Sequence, residues 1–226
     1  MRYLILIFGV FSCSTSVIFI KIGSTDPIVL SGYRTLLGGL VLAPVLLRLG
    51  HLKAPPVTVL LKRAGPPAVF LGIHFITWII GARLTPSANA SLIVNMVPVV
   101  MPVLLLLVIH ERITRPEAIG TVAAMAGVIL LGIGDFSFSR EHALGDLVCF
   151  LSMLFYAVYL IYARKNRDVP SVYFYVVPVY LLAGLLCLGI AGAADLAGRA
   201  VVWLGPDRSM ELISIFGLAL VPTLLG

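Results

Sequence analysis

Charged residues are scarce in this chain. Only 12% of its 226 residues are charged and 60% are hydrophobic, whereas soluble domains carry about 25% charged residues. The apolar residues form blocks of about 20, the length that crosses a bilayer as a helix, rather than amphipathic stripes. The composition therefore predicts an all-α polytopic membrane protein that lies in a lipid bilayer.

Acidic residues are the scarcer of the two charged classes, with 10 Asp and Glu against 16 Lys and Arg. No acid lies at the middle of an apolar run, so the sequence predicts no carboxylate relay inside the membrane. Coupling of an ion through His74, Asp26 or Asp146 stays open. The net charge of +6 comes from basic residues in short loops between apolar runs. This placement indicates membrane orientation rather than a nucleic-acid partner.

Enzyme motifs are absent from the sequence, which contains no HExxH, Walker loop, GxSxG or paired aspartate motif. The cysteines Cys13, Cys149 and Cys187 have no metal-binding or redox spacing. We therefore expect no enzymatic activity, no cofactor and no metal site. Small packing residues inside helices are the expected role of the cysteines.

The apolar runs predict eight transmembrane helices. They cover residues 2–22, 28–48, 66–83, 88–109, 117–134, 145–164, 171–193 and 211–226. With a cytoplasmic N-terminus, ten Lys and Arg fall in inside segments and five in outside segments. The inside residues are Arg2, Arg48, Lys53, Lys62, Arg63, Arg112, Arg115, Arg164, Lys165 and Arg167. The positive-inside rule therefore predicts that the N-terminus is cytoplasmic.

The fourth predicted helix has an unusual composition. Asn95 lies near its middle, and Pro98 and Pro102 follow three and seven residues later. Polar groups and prolines at that depth are costly unless other helices or a wet cavity satisfy the freed groups. Asn95 is therefore predicted to face the central cavity or another helix.

The same region resembles a known family. The segments Ala90-Ser91-Leu92, Pro98-Val99 and Glu111-Arg112, followed by Gly120 and Gly127, resemble the fourth-to-fifth helix signature of the EamA family of the drug/metabolite transporter (DMT) superfamily. The resemblance implies two inverted five-helix repeats in a ten-helix plan. It also implies a small organic solute, such as an amino acid or a drug-like metabolite, and a prokaryotic inner membrane.

A weak internal repeat agrees with that plan. Lys21 aligns with Arg164 and Pro27 with Pro170 at a shift of 143 residues. Because each repeat has an odd number of helices, the second would enter the membrane from the opposite side, as in many secondary transporters.

The repeat predicts two domains. Residues 1–143 would form the first five-helix repeat, and residues 144–226 the second. The second is about 60 residues shorter than the first, so we expect a C-terminally truncated repeat that stops in its third helix. The alternative is a natural eight-helix protein.

Arg34 is the first candidate for solute binding. It lies in the second predicted helix, and an arginine inside the membrane is by default a functional hypothesis. The resemblance supports this reading, because second helices of the family often carry an arginine near this position. Snorkelling to the outer interface and pairing with Asp26 are the alternatives.

The other candidates are aromatic or polar side chains at helical spacing. His74 and Trp78 share a face of the third helix, and Tyr156 and Tyr159 share a face of the sixth. Together with Asn95, these side chains would suit an aromatic or amphipathic solute. The alternatives are an interface anchor for Trp78 and a packing role for the others.

These observations predict a multi-pass permease or exporter that moves a small organic metabolite by alternating access. A homodimer is possible on this reading. The alternatives are an integral-membrane enzyme acting on lipid, for which no cluster of mid-depth acids or histidines is present, and a membrane scaffold that transports nothing.

Overall fold

A computed structural model describes residues 8–9, 11–49, 55–135 and 139–225, and for residues 128, 131–135 and 225 it describes the backbone alone. The regular structure of these residues is helical. The helices are α1 (Ser16–Ile22), α2 (Pro27–Arg48), α3 (Val57–Leu84), α4 (Ser87–Val94), α5 (Val97–Ile109), α6 (Arg115–Asp135), α7 (Ala143–Lys165), α8 (Tyr173–Leu196) and α9 (Arg208–Leu220). A π-helical turn, Val221–Leu225, follows α9 directly.

Five stretches of the described residues are long and apolar enough to cross a membrane. They are Pro27–Arg48, Val57–Leu84, Ser87–Ile109, Ala143–Lys165 and Tyr173–Leu196, and a shorter apolar helix covers Phe11–Ile22. The all-helical, multi-pass prediction is therefore confirmed. The count of about eight spans stays a prediction, and the first predicted helix lies partly outside the described residues.

The fourth predicted span is not one continuous helix. It is divided into α4 and α5 by a turn at Asn95 and Met96. Pro98 is the second residue of α5. It has no backbone N–H to donate, and its ring would clash with a carbonyl of the preceding turn if the helix continued. In the first turn of a new helix neither cost arises, so the proline that was expected inside a helix begins one.

The described chain folds into two compact units. Unit 1 contains Met1–Gly72 and Asn166–Gly226, and unit 2 contains Ile73–Lys165. Helix α3 contributes its first part to unit 1 and the rest to unit 2. This spatial division is different from the predicted sequence repeats, 1–143 and 144–226, which stay a prediction.

Close packing of α2 against α8 forms the core of unit 1. A Cβ atom on Gly32 would lie 2.7 Å from Leu188 Cδ2, and one on Gly184 would lie 2.7 Å from the backbone nitrogen of Leu36. The second contact is with backbone, so a side chain at Gly184 could not be accommodated by a rotamer change. Since Gly32 faces Leu188 and Leu36 faces Gly184, the two helices run antiparallel.

A buried carboxylate lies where α2 begins. Glu211, in the first turn of α9, is only 1% exposed. Its Oε1 accepts from the backbone N–H and the hydroxyl of Ser24, and its Oε2 accepts from the N–H and the hydroxyl of Thr25. Beside it, Asp26 caps α2 by accepting from Ile28 N. The loop before α2 is therefore bound to the start of α9.

An exposed ion pair joins α3 to the loop before α8. Arg63 Nη1 donates to both carboxylate oxygens of Asp168, at 2.9 and 2.8 Å. These hydrogen bonds hold the pKa of Asp168 below its usual value. Both side chains are well exposed, so the pair contributes little to stability.

Unit 2 is held together at its centre by apolar packing and at one end by charge. Val97 of α5 packs with Met153 and Ala157 of α7. At the end of α7, Arg164 Nε and Nη2 donate to the two oxygens of Glu111, at 2.9 and 2.6 Å. This two-bond pairing fixes the end of α7 against the segment that follows α5.

Helix α5 ends in a left-handed residue. His110 has φ 54° and ψ 28°, a conformation that costs a non-glycine residue about 1–2 kcal/mol. The backbone N–H groups of His110 and Glu111 both donate to Leu105 O, that of Glu111 at 3.2 Å, so the last turn of the helix is wider than a regular α-helical turn. The chain can therefore leave the helix towards the Glu111–Arg164 pair.

Candidate functional site

A polar contact lies between α3 and α7, deep inside both helices. His74 is 4% exposed and Ser152 is fully buried. The imidazole Nδ1 lies 3.0 Å from the backbone oxygen of Ser152 and 2.8 Å from its Oγ. The Ser152 hydroxyl donates to the backbone oxygen of His74 at 2.9 Å. Ser152 lies about 14 Å along α7 from its start, near the middle of a bilayer core about 30 Å thick.

These contacts determine which ring nitrogen of His74 carries hydrogen in the neutral state. A carbonyl oxygen can only accept, so Nδ1 must donate to Ser152 O. The serine hydroxyl uses its own hydrogen on His74 O, so Oγ too is an acceptor for Nδ1. Neutral His74 is therefore the Nδ1–H tautomer, and its Nε2 carries the lone pair.

An aromatic stack extends from the same histidine. The Tyr156 ring lies 4.7 Å from the His74 ring at an interplanar angle of 25°, and the Tyr159 ring lies 5.9 Å from Tyr156 at 22°. Tyr156 and Tyr159 are three residues apart on α7 and so occupy one face. We call these three side chains the aromatic stack. It provides flat apolar faces next to hydroxyl and imidazole groups.

Glycines bring α3 and α7 together on one side of the stack. A Cβ atom on Gly81 would lie 2.9 Å from the backbone nitrogen of Cys149, and one on Gly145 would lie 2.7 Å from the carbonyl carbon of Leu84. Both contacts are with backbone, so larger residues would force the helices apart. Close approach of these helices places His74 within reach of Ser152.

A polar cluster lies at the end of the same helix pair. Asp146 accepts from Thr85 Oγ1 at 2.6 Å and from Asn89 Nδ2 at 3.2 and 3.3 Å. Thr85 and Asn89 are buried. The cluster connects the turn between α3 and α4 to the first turn of α7.

Trp78 is buried one helical turn beyond His74. Its exposure is 4%, so the indole is covered by protein. That Trp78 and His74 share a face of the helix stays a prediction. The ring contacts of His74 include Tyr156 of α7 and Phe75. The role of Trp78 in binding stays a prediction.

Asn95 lies at the break between α4 and α5. Its side chain is exposed and Nδ2 donates to Ser91 O at 2.7 Å. The amide therefore satisfies a carbonyl at the end of its own helix and leaves the side-chain oxygen on the surface of unit 2. Whether that surface faces a cavity stays a prediction.

Arg34 belongs to unit 1, whereas the aromatic stack belongs to unit 2. Arg34 is 4% exposed, and its Nε donates to Thr223 Oγ1, in the π-helical turn, at 3.0 Å. Asp26, the alternative partner expected from the sequence, instead accepts from Arg199 Nη2 at 2.9 Å. Arg34 is therefore buried and held by the π-helical turn, and its role in binding stays a prediction.

The structure thus brings together three of the six residues predicted for solute binding, namely His74, Tyr156 and Tyr159. Two important residues were not predicted to have these roles. Ser152 was not among the candidates, although its position four residues before Tyr156, on the same helical face, is a usable signal. Thr223 has no sequence signal, because its contact with Arg34 depends on the π-helical turn.

This chain is similar to a known protein family and to a known protein. The model of the EamA-like transporter family matches residues 1–133. The uncharacterized transporter YvbV of Bacillus subtilis (strain 168) is 29% identical over 201 residues, which are 87% of this chain and 64% of the relative. The chain therefore spans slightly less than two thirds of that relative's length.

A solved crystal structure shares the fold. It superposes on 98% of this chain and 75% of its own, with a TM-score of 0.67 and 22% sequence identity. With the family match over more than half of the residues, the chain belongs to the EamA-like transporter family.

Proposed function

We propose that this protein is a permease that moves a small organic solute across the inner membrane of a prokaryote by alternating access, with its N-terminus in the cytoplasm. Family membership supports a membrane transporter. The aromatic stack carries the proposal for the solute class, because stacked rings beside an imidazole bind flat or amphipathic molecules. The loop charge asymmetry supports the orientation.

Helix pairing supports the proposed inverted repeat. In unit 1, α1 pairs with α9, since Ser214 Oγ donates to Phe19 O at 2.7 Å. In unit 2, α7 pairs with α3 through His74 and Ser152. If α1, α2 and α3 correspond to α7, α8 and α9, these two pairs are equivalent. In the remaining pair, α2 with α8, the two helices are each other's counterparts, so the correspondence maps this pair onto itself.

This pairing is expected when the first helix of each repeat packs against the third helix of the other repeat. A sequential arrangement would pair α1 with α3 and α7 with α9. Many secondary transporters achieve alternating access with two such equivalent halves. The repeat therefore supports a transport cycle rather than an enzymatic or scaffolding role.

The experiment is transport by the purified protein in liposomes. The solutes are tritiated phenylalanine, tyrosine and tryptophan, with alanine and glutamate as non-aromatic members of the panel. We expect counterflow that favours the aromatic solutes. Tyr156→Leu should lower it at least tenfold and Tyr156→Phe should preserve it, because stacking needs the ring and not the hydroxyl.

The matched control is Phe150→Leu. Phe150 lies on the same helix and its side chain is 41% exposed, so the same loss of a ring should leave counterflow unchanged. Equal loss in Phe150→Leu and Tyr156→Leu would contradict the role of the aromatic stack. Absence of counterflow for every solute in liposomes that contain folded protein would contradict the proposed solute class.

A further inference from the structure

Two contacts in unit 1 occupy equivalent places in the proposed repeats. At the first, Thr25, in the loop before α2, donates to Glu211 in the first turn of α9. At the second, Asp168, in the loop before α8, accepts from Arg63 in the second turn of α3. The repeat shift of 143 residues aligns Thr25 with Asp168. Each contact therefore joins the loop after the first helix of one repeat to the third helix of the other.

The two contacts lie at opposite ends of the α2–α8 pair. The glycine contacts described above make these two helices antiparallel, so the loop before α2 and the loop before α8 are at opposite ends of the pair. We call the contact of Glu211 with Ser24 and Thr25 the Glu211 latch. We call the ion pair of Arg63 with Asp168 the Arg63 latch.

The two latches differ in burial. Glu211 is 1% exposed and Thr25 is fully buried. Gly205, in the connection between α8 and α9, lies so close to the Glu211 carboxylate that a Cβ atom would not fit. The side chains of Arg63 and Asp168 are instead 39% and 59% exposed, so water can replace either partner. The Arg63 latch is therefore the easier of the two to open.

Further contacts close the Glu211 end. The backbone N–H of Asp26 donates to Val202 O at 2.9 Å, and its carboxylate accepts from Arg199 Nη2 at 2.9 Å. Val202 and Arg199 belong to the same connection as Gly205. The connection between α8 and α9 thus lies against the loop before α2 and covers the Glu211 latch.

We propose, on the basis of the proposed permease function, that the two latches are the gates of the transport cycle, and that this structure is closed at the Glu211 end and opens first at the Arg63 end. Each latch joins one repeat to the other, so it must break and form again when the repeats move relative to each other. With the predicted orientation, the Arg63 latch is the cytoplasmic gate.

The α2–α8 pair determines how the gates are coupled. Its two helices touch through backbone at Gly184 and Leu36, and they remain in contact through the cycle. The latches lie on either side of this contact. Rotation of the repeats about it therefore opens one latch while it tightens the other, and the two gates alternate.

The first experiment measures distances and needs no solute. On a cysteine-free background, spin labels are attached to Ile22→Cys and Met210→Cys at the Glu211 end, and in a second protein to Leu61→Cys and Val172→Cys at the Arg63 end. All four native side chains are exposed. Electron–electron double resonance of the protein in liposomes then gives the ratio of long to short distances at each end.

Asp168→Ala tests the Arg63 gate. It should raise the ratio of long to short distances at the Arg63 end by about two- to fivefold, as expected for loss of an exposed ion pair, and leave the Glu211 end unchanged. The matched control is Glu141→Ala, which removes an exposed acid of unit 2 and should change neither end. An unchanged ratio at the Arg63 end in Asp168→Ala would overturn the proposal.

Glu211→Gln tests the alternation. It should raise the ratio of long to short distances at the Glu211 end and lower it at the Arg63 end. A purely structural role of Glu211 would loosen its own end alone, so a ratio that stays constant or rises at the Arg63 end would overturn the proposal. Asp26→Asn, which weakens the contact with Arg199 and keeps an oxygen to cap α2, gives the same test if Glu211→Gln does not fold.

The second experiment links the Arg63 gate to transport. A short reducible linker joins Leu61→Cys to Val172→Cys, and counterflow is measured with the panel solute that gives the largest signal. The linked protein should lose counterflow by about tenfold or more and regain it on reduction, because a gate that cannot open stops the cycle. Each single-cysteine variant treated with the linker is the control.

Full counterflow by the linked protein would overturn the proposal. If no solute of the panel gives counterflow even in the unlinked protein, the proposed solute class fails. The distance measurements still decide the proposal about the latches in that case, because they do not depend on any solute.

Discussion

Removal of the buried Glu211 carboxylate is predicted to destabilise unit 1 strongly. The carboxylate accepts four hydrogen bonds from Ser24 and Thr25, two of them from backbone N–H groups. Hydroxyls can rotate to new partners, but the backbone N–H groups cannot. Thr25 is buried whereas Ser24 is exposed, and a buried donor left unsatisfied costs about 1–3 kcal/mol, so Glu211→Ala should lower the free energy of unfolding by about 1–3 kcal/mol.

Glu211→Gln should give an intermediate loss. Glutamine keeps one acceptor oxygen and presents an NH₂ group to the donors on the other side. One backbone N–H then keeps its acceptor, so the loss should be smaller than in Glu211→Ala. The graded order of wild type, Gln and Ala separates the hydrogen-bond explanation from a simple loss of packing volume, because Gln and Glu have nearly the same size.

The assay is thermal unfolding of the purified protein in detergent. A loss of 2 kcal/mol lowers Tm by about 4 °C or more in a chain of this length. The control is Asp168→Ala, which removes an acid of similar chemistry from an exposed ion pair with Arg63 and should leave Tm within error. Equal shifts for Glu211→Ala and Asp168→Ala would refute the reasoning.

Three further predictions concern topology and the α4–α5 region. On a cysteine-free background, an impermeant reagent added to intact cells should label a cysteine at Gly198 and not one at Thr58, because the loop charges place the second inside; the reverse pattern would invert the orientation. Asn95→Leu should lower counterflow more than Tm, because the amide bonds only Ser91 O of its own helix; unchanged counterflow would remove Asn95 from the site. His110→Gly should raise the free energy of unfolding by up to about 1 kcal/mol, because glycine adopts the left-handed conformation without strain. The measurement is Tm, and a lower Tm would show that the contacts of the imidazole stabilise the protein by more than the strain destabilises it.

The acid–base state of Asp168 gives the pH control for these measurements. Its pKa is lowered by hydrogen bonds from Arg63, so the stabilising effect of the pair is present above the ordinary pKa of aspartate and is lost as pH falls through the lowered value. Above pH 5 the pair is constant. Changes in transport between pH 5 and 8 therefore cannot arise from Asp168.

The sequence by itself determined the class of this protein and the approximate positions of several of its helices. Apolar runs of membrane length are specified locally, because hydrocarbon leaves the backbone no partner except its own helix. For the same reason the predicted ranges of helices two and six, 28–48 and 145–164, agree with α2 and α7 to within two residues. The family resemblance was also readable, since its markers are short and close together in sequence.

The tertiary structure decided which of the predicted residues meet. His74 and Ser152 are 78 positions apart in the chain and are joined because glycines at Gly81 and Gly145 let two helices approach closely. The break at Asn95 was not predicted, since hydropathy does not distinguish a proline inside a helix from one that begins a helix. Burial of Glu211 depends on the loop at Ser24 and Thr25, 186 residues or more away. Such contacts are properties of packing between distant segments, and a pattern within one helix does not encode them.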